Sequence, residues 1–293
     1  MAGTASAISS RTNARVKQLR AAFSGHERLS DGLVAIEGEH LLEEALRSGL
    51  EIRTLFHTER QKTPAGLDLS TEVVLLTEDV FASAVETRSP QGIAALIAPP
   101  KHELTDILAG PASTLILIAA GLQDPGNLGT LIRSAEAFDA TGVLTTPGTV
   151  SAWNQKALRA SVGSVFRVPV IPATAAEIIE LQQRYGIRLL AAVGAAGEDV
   201  IPAQNADLRQ PTGFLIGNEG AGLAEEWIKI ATQHVTIPCP GPVESLNAAV
   251  AGSLLLYEAS RQRSSAAATH GADQTEVPRI PGPLRRRPSG ATR

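Results

Sequence analysis

The chain has 293 residues, 43% of them hydrophobic, which is enough for two packed cores; 30 acidic against 26 basic side chains leave a formal net charge of −4. That balance excludes nucleic-acid binding through overall charge, and the single cysteine, Cys239, excludes an internal disulfide framework or a multi-cysteine metal site. No apolar run approaches the ~18 residues of a membrane span, and "MAGTASAISSRTNARVKQLR" lacks the apolar centre of a signal peptide, so a soluble cytoplasmic protein is expected.

Charge is unevenly placed. Residues 1–28 carry Arg11, Arg15, Lys17, Arg20 and Arg28 against Glu27, and residues 264–293 carry Arg279, Arg285, Arg286, Arg287 and Arg293 against Asp273 and Glu276. Such ends either track phosphates or keep the chain soluble.

From Val34, "VAIEG" predicts a strand, "HLLEEALRSG" a helix with Leu41, Leu42, Ala45 and Leu46 as its apolar stripe, and "IRTLFHT" a second strand. After the polar "ERQKTPAGLDLST" come "EVVLLT" (strand), "EDVFASAVE" (helix) and "QGIAALIAPP" (strand). Residues 1–100 therefore read as a small α/β domain, and residues 101–112 as a linker. Over residues 113–263 the strands "STLILIAA", "GVLTT", "FRVPVI", "IRLLAAVG", "TGFLIG" and "HVTIP" are interleaved with helical runs. That pattern predicts a mostly parallel sheet covered by helices. Residues 264–293, rich in Ala, Pro, Gly and Arg, read as a disordered basic tail.

Three stretches have chemical potential. In "LQDPGNLGTLIRSAEAFDATGV" the turn Asp124–Asn127 leads into a helix from Leu128, with Asn127 as its N-cap and Arg133 six residues further on. The pair either converges on a substrate at an anion-friendly helix end or is an ordinary cap beside a solvated arginine. In "IGNEGAGLAEEW" the glycines at 217, 220 and 222 do not match G-x-G-x-x-G, so a dinucleotide turn is a poor reading. Glu219 there is either a solvated carboxylate or a group that orients a ligand or loop. In "IPCPGPVESLNAAVAGSLLLYE", Ser245 is placed to cap a helix from Leu246, whose Ala248, Ala249, Ala251 and Gly252 make a slim start that admits another backbone or a ligand. Cys239 reads as a small buried hydrophobe, having no histidine nearby to activate it.

The order of the three stretches carries more than any one of them. "DPGNLGTLIRSAEAF", "IGNEGAGL" and "IPCPGPVESLNAAVAGSLLLYE" resemble the signature motifs of the SpoU/TrmH branch of the SPOUT RNA methyltransferases. "ALRASVGSVFRVPV" resembles that family's segment between the first two motifs. "ISSRTNARVKQLR", "AIEGEHLLEEAL" and "SPQGIAALI" resemble the N-terminal substrate-binding domain of its ribosomal-RNA members. One departure is Cys239, where the family often has Met.

The resemblance implies an α/β fold with a C-terminal trefoil-knotted SPOUT methyltransferase domain and a smaller N-terminal L30e-like domain. It implies a homodimer that binds S-adenosylmethionine, needs no metal, and methylates a ribose 2′-hydroxyl in ribosomal RNA. Transfer RNA is the alternative substrate, and a non-catalytic RNA-binding protein on the same fold the alternative class. Carried over by motif, Arg133, Asn127, Ser245 and Asn247 are catalytic. Gly217, Ile237 and Leu246 hold the cofactor largely through backbone groups, with Asn218, Glu219 and Gly220 shaping the same wall. Arg11, Asn13, Lys17 and Arg159 face the RNA, and Lys156 and Arg167 add local positive charge. Arginine is almost always protonated, so Arg133 is expected to bind phosphate and stabilise an alkoxide rather than act as a base. Glu219 is expected to brace the pocket with no proton-transfer role.

Overall fold

A computed structural model describes residues 6–24, 29, 31–108, 113–194, 199–243 and 245–272, the last seven as backbone only. Its N-terminal part contains α1 (Ala14–Phe23), β1 (Val34–Glu37), α2 (Glu39–Arg47), β2 (Ile52–His57), β3 (Glu72–Leu75), α3 (Glu78–Ala82) and β4 (Ile93–Ile97). The strands form one sheet in the order β1-β4-β2-β3, with β4 antiparallel to both neighbours. Helix α1 adds to the elements expected from the sequence. The Asn13 carboxamide oxygen caps it by accepting from Arg15 N–H at 2.9 Å, and Val16, Leu19 and Phe23 pack against Phe56 and Phe81.

The C-terminal part comprises β5 (Leu115–Ala119), α4 (Pro125–Ala137), β6 (Gly142–Thr145), α5 (Gln155–Ser161), β7 (Val170–Pro172), α6 (Ala175–Tyr185), β8 (Arg188–Ala192), β9 (Val200–Pro202), β10 (Thr212–Ile216), α7 (Glu225–Ile230), β11 (Gln233–Thr236) and α8 (Ala248–Ala272). All seven strands pair in parallel, in the order β7-β6-β5-β10-β8-β11-β9. Strands β5 and β10 are buried along their whole length, as expected for a parallel sheet covered on both faces. Strand β10 enters between β5 and β8, and β11 between β8 and β9, so late strands are inserted between early ones. Their C-terminal ends converge on one edge with that of β8.

Three helix boundaries differ from expectation. Helix α4 starts at Pro125, and its N-cap is Asp124, whose carboxylate accepts from Asn127 N–H at 2.8 Å. Proline at the first helical position loses nothing, since that N–H has no helical partner anyway, so the helix begins earlier than Asn127. The Asn127 side chain is thereby released from capping. Helix α8 starts at Ala248: the Asn247 oxygen accepts from Ala249 N–H at 2.9 Å and Val250 N–H at 3.2 Å, taking the role expected of Ser245. The same helix runs on to Ala272, nine residues beyond the end expected at Arg263. Alanine-rich sequence supports that extension. Arg263 also fastens the helix there, donating to the carbonyls of Leu208 at 2.9 Å, Thr114 at 3.1 Å and Gln210 at 2.8 Å. The rest of the expected tail, residues 273–293, lies outside the described residues.

The two parts share one hydrophobic cluster that runs from Val34, Ile36 and Leu42 into Trp153, Leu158 and Phe166. Within the stretch read as a linker, Ile107 is fully buried beside Ile116 and Leu144.

Candidate active site and cofactor cavity

A cavity of about 760 Å³ opens at the edge where β8, β10 and β11 end. Ligands of open parallel sheets bind at this carboxyl edge. The loop after β10 forms one wall. It closes on itself through Asn218 N–H to Gly222 O at 3.0 Å and Gly222 N–H to Asn218 O at 2.9 Å. A Cβ on Gly217 would stand 2.3 Å from the backbone carbon of Gly222, so glycine is required there by the loop's own folding. The Asn218 side chain accepts from Gly220 N–H at 2.9 Å and donates to Gly121 O at 3.1 Å, tying the loop to the end of β5.

Residues 236–240 form the opposite wall, with Leu246, Ala248 and Ala251 at the entry to α8. Thr236 donates to Gly194 O at 3.0 Å, which joins the ends of β11 and β8. All six residues expected at the cofactor, Gly217, Asn218, Glu219, Gly220, Ile237 and Leu246, line this cavity, and Ser245 lies on it as well. Motif matching missed Ala192, Val193 and Gly194, which line it from the end of β8. The position of β8 among inserted strands was the needed signal, and sequence order does not carry it.

A hydrogen-bonded chain links all three motifs. Asn127 Nδ2 donates to Glu219 Oε1 at 2.8 Å, and Asn247 Nδ2 donates to Asn127 Oδ1 at 3.0 Å. Its direction follows from the ends. An ionised carboxylate only accepts, so Asn127 turns its amide nitrogen to Glu219; the N–H groups opening α8 require the oxygen of Asn247, so its nitrogen faces Asn127. Glu219 also lies 3.4 Å from Asp124 N–H at the start of α4, where the helix dipole favours a negative charge. Glu219 thus ties the loop after β10 to the start of α4. Asp124 Oδ2 meets Lys156 Nζ at 2.7 Å, and that bond, ahead of the capped Asn127 N–H, holds its carboxyl below the usual aspartate range.

Helix α4 is locked in place. A Cβ on Gly252 would meet Leu131 at 2.4 Å, and one on Gly129 would meet the Ala157 carbonyl at 2.4 Å. Ser134 and Ser253 share a 2.7 Å hydrogen bond, and the rings of Phe138 and Tyr257 meet edge to face at 5.7 Å. The slim start of α8 thus admits α4, and the lock fixes where Arg133 projects. Arg133 and Arg159 are exposed, with no side-chain hydrogen bond or ion pair among the described residues.

Other expected RNA contacts are engaged within the chain. Asn13 caps α1 with its oxygen, and Arg11 lies 3.6 Å from Asp79. The Arg11 pair is largely exposed and readily exchanged, as is the pair of Lys156 with Asp124. Arg167 is different: it is committed to Glu44 and Glu136, so it offers no free charge. Lys17 is exposed. Among the described residues no group of three His, Cys, Asp or Glu side chains is placed to hold a metal ion, and no helix is long and apolar enough to cross a membrane.

Comparison with known proteins matches residues 114–257 to the SpoU rRNA Methylase family and residues 13–95 to the MRM3-like substrate binding domain. The chain is 32% identical over 250 residues to the 23S rRNA (guanosine(2553)-2'-O)-methyltransferase RlmP of Bacillus subtilis, spanning 85% of this chain and 97% of that protein. It is 30% identical over 264 residues to the 23S rRNA (uridine(2479)-2'-O)-methyltransferase of Streptomyces viridochromogenes, spanning 86% and 91%. Among solved structures, the SpoU methyltransferase AviRb of that organism, in complex with the cofactor AdoMet, superposes with a TM-score of 0.76 at 29% identity, covering 86% of this chain and 99% of that one. With three linked motifs around a carboxyl-edge cavity and these matches along both parts, the chain belongs to the SpoU rRNA methylase family.

Proposed function

We propose that the protein transfers a methyl group from S-adenosylmethionine to a ribose 2′-hydroxyl of ribosomal RNA. The observation that carries this reading is the chain Glu219–Asn127–Asn247, which couples the cavity wall to the helix bearing Arg133. The cavity fits the cofactor: its volume lies within the ~300–1,000 Å³ of small-molecule pockets. Its walls combine glycines, prolines and small side chains, which leave backbone groups open to a ligand, with the apolar side chains of Ile216, Ile237, Leu246 and Leu255.

The cofactor supplies an electrophilic methyl group on a sulfonium centre. The residues of this chain have three tasks. The loop 217–222 and residues 236–240 hold the adenosyl and amino-acid ends through backbone groups. Asn127 and Asn247, fixed by their mutual hydrogen bond, orient the ribose at the start of α4, with Ser245 on the rim. Arg133 binds the adjoining phosphate and stabilises negative charge on the attacking oxygen, whose proton passes to phosphate or water; preorganised cations of this kind are among the largest contributions to catalysis. Glu219 holds Asn127 and takes no proton.

The first domain grips the RNA, with Arg11, Lys17 and Arg159 on its path. The likeness along both domains to two 23S rRNA 2'-O-methyltransferases favours ribosomal RNA over transfer RNA. A second copy of the chain is the natural cover for Val250, Leu254 and Tyr257, which are 47%, 42% and 51% exposed at helical spacing along α8, with Val243 beside the cavity 56% exposed. The insertion of β10 and β11 between earlier strands supports the threaded, knotted topology implied by the resemblance. A single free cysteine fits a cytoplasmic location. Methyl-labelled S-adenosylmethionine offered with unmodified ribosomal RNA and transfer RNA tests the reading. Label in ribosomal RNA supports it, and label in transfer RNA alone reassigns the substrate.

A further inference from the structure

The turn after α5, residues 162–167, has no part in the chemistry described so far, yet it is built with unusual specificity. Glu44 on α2 is 7% exposed and is the one charged residue buried to this degree among the described residues. A buried carboxylate is costly unless paired. Glu44 is paired with Arg47 of its own helix and, across the domain boundary, with Arg167 Nη1 at 2.7 Å. The same guanidinium donates to Ser48 Oγ at 3.0 Å and grips Glu136 on α4 through Nε and through Nη2 at 3.1 Å. Glu136 stands three residues after Arg133, one turn along the same helix.

The backbone is shaped to allow this contact. Val162 and Gly163 adopt successive left-handed conformations with φ of 53° and 84°. A β-branched residue accepts that conformation only where its surroundings impose it. A Cβ on Gly163 would lie 2.6 Å from Glu44 Cβ, so the turn sits directly on the buried carboxylate. Beside it, Gln155 Nε2 reaches across to Ala35 O of β1 at 2.8 Å.

We propose that Arg167 is a positioning residue that clamps α2 of the substrate-binding domain to α4 one turn beyond Arg133. The clamp sets the register between RNA held by the first domain and the ribose presented to the second. A shift of about 1 Å in such a register costs on the order of a hundred-fold in rate. This inference rests on the reading that the first domain grips RNA.

The test compares the full-length enzyme with Arg167→Met, which keeps the aliphatic stem, and Glu136→Met, which has no acceptor for the guanidinium and so releases the clamp from α4 but leaves Glu44 paired. The expected result is a fall in kcat on ribosomal RNA of about ten-fold or more in both variants, with S-adenosylmethionine and RNA Kd values within about two-fold of the parent. Loss of RNA affinity with unchanged kcat, or loss of cofactor binding in step with Tm, overturns the proposal. A second measurement needs no activity. Spin labels at Glu59→Cys and Gln183→Cys in a Cys239→Ser background report the distance between domains, and the clamp predicts a distribution that broadens on Arg167→Met. An unchanged width overturns it. If the parent enzyme transferred no methyl group, the proposed function would fall, while the distance measurement would still decide the clamp.

Discussion

Asn127 and Glu219, 92 positions apart in the chain, share a 2.8 Å hydrogen bond that fastens the cavity loop to the start of α4. Its geometry makes Glu219 an acceptor at rest, holding an amide rather than waiting for a proton. Glu219→Gln keeps an oxygen for Asn127 and is expected to retain kcat within a few-fold. Glu219→Ala removes a hydrogen bond to a charged group, worth about 1.5–3 kcal/mol, and is expected to lose ten-fold or more. Steady-state kinetics of the pair separates the roles: a glutamine variant as damaged as the alanine variant would make Glu219 a proton carrier.

Acid should loosen the start of α4. Lys156 and the Asn127 N–H hold the Asp124 carboxyl below its ordinary value, so its folded pKa lies under its unfolded one. Stability from such a group is fully present above the unfolded pKa of about 3.9 and is lost as pH falls through the folded value. Asp124→Asn keeps a capping oxygen but loses the Lys156 pair. Urea titrations should show the variant less stable than the parent at pH 6, with the two curves converging toward pH 3. Curves separated by a constant amount at every pH would show that Asp124 contributes through its shape and not its charge.

How much of this was readable in the sequence depended on distance along the chain. Strands β5 and β10 are legible as apolar runs, and the second and third motifs mark the cavity while the first marks the helix tied to it through Asn127. Neighbouring capping residues blurred the helix starts: "DPGN" offers Asp124 and Asn127, and "SLN" offers Ser245 and Asn247. In the first, proline tolerance at the opening position decided the boundary; in the second, the N–H groups of Ala249 and Val250 identified Asn247. Helix α1 has its cap in Asn13, but its apolar positions are spread among basic side chains and give a weak helical pattern. Lys156 and Arg167 looked like free positive charge because their partners, Asp124, Glu44 and Glu136, come from other elements. The bond between Asn127 and Glu219 exists only once β10 lies beside β5.

Cys239 offers a direct probe of the cavity. Its thiol is partly exposed, lines the cavity and makes one weak contact, to Ile237 O at 3.4 Å. S-adenosylmethionine seated there should slow alkylation of this single cysteine by about ten-fold at ten times its Kd, by occupancy alone. Thiol-modification kinetics with and without the cofactor measures this. An unchanged rate would move the cofactor elsewhere.

The exposed stripe on α8 makes an oligomer test simple. Leu254→Glu places a charge among Val250 and Tyr257, and burying an unpaired charge in an interface costs several kcal/mol. Sedimentation should show a dimer for the parent and a monomer for the variant at micromolar concentration. A parent that sediments as a monomer would leave the stripe without the proposed partner.

The central claim is that Arg133, held by α4 beside the cofactor cavity, drives methyl transfer to a ribose oxygen. The most direct measurement maps 2′-O-methyl groups on unmodified ribosomal RNA after incubation with S-adenosylmethionine and either the parent or Arg133→Ala. The account predicts a defined 2′-O-methyl position with the parent, and its loss with the variant while cofactor affinity stays within about two-fold. Undiminished methylation by Arg133→Ala, or a methyl group placed on a base instead of the ribose, would contradict it.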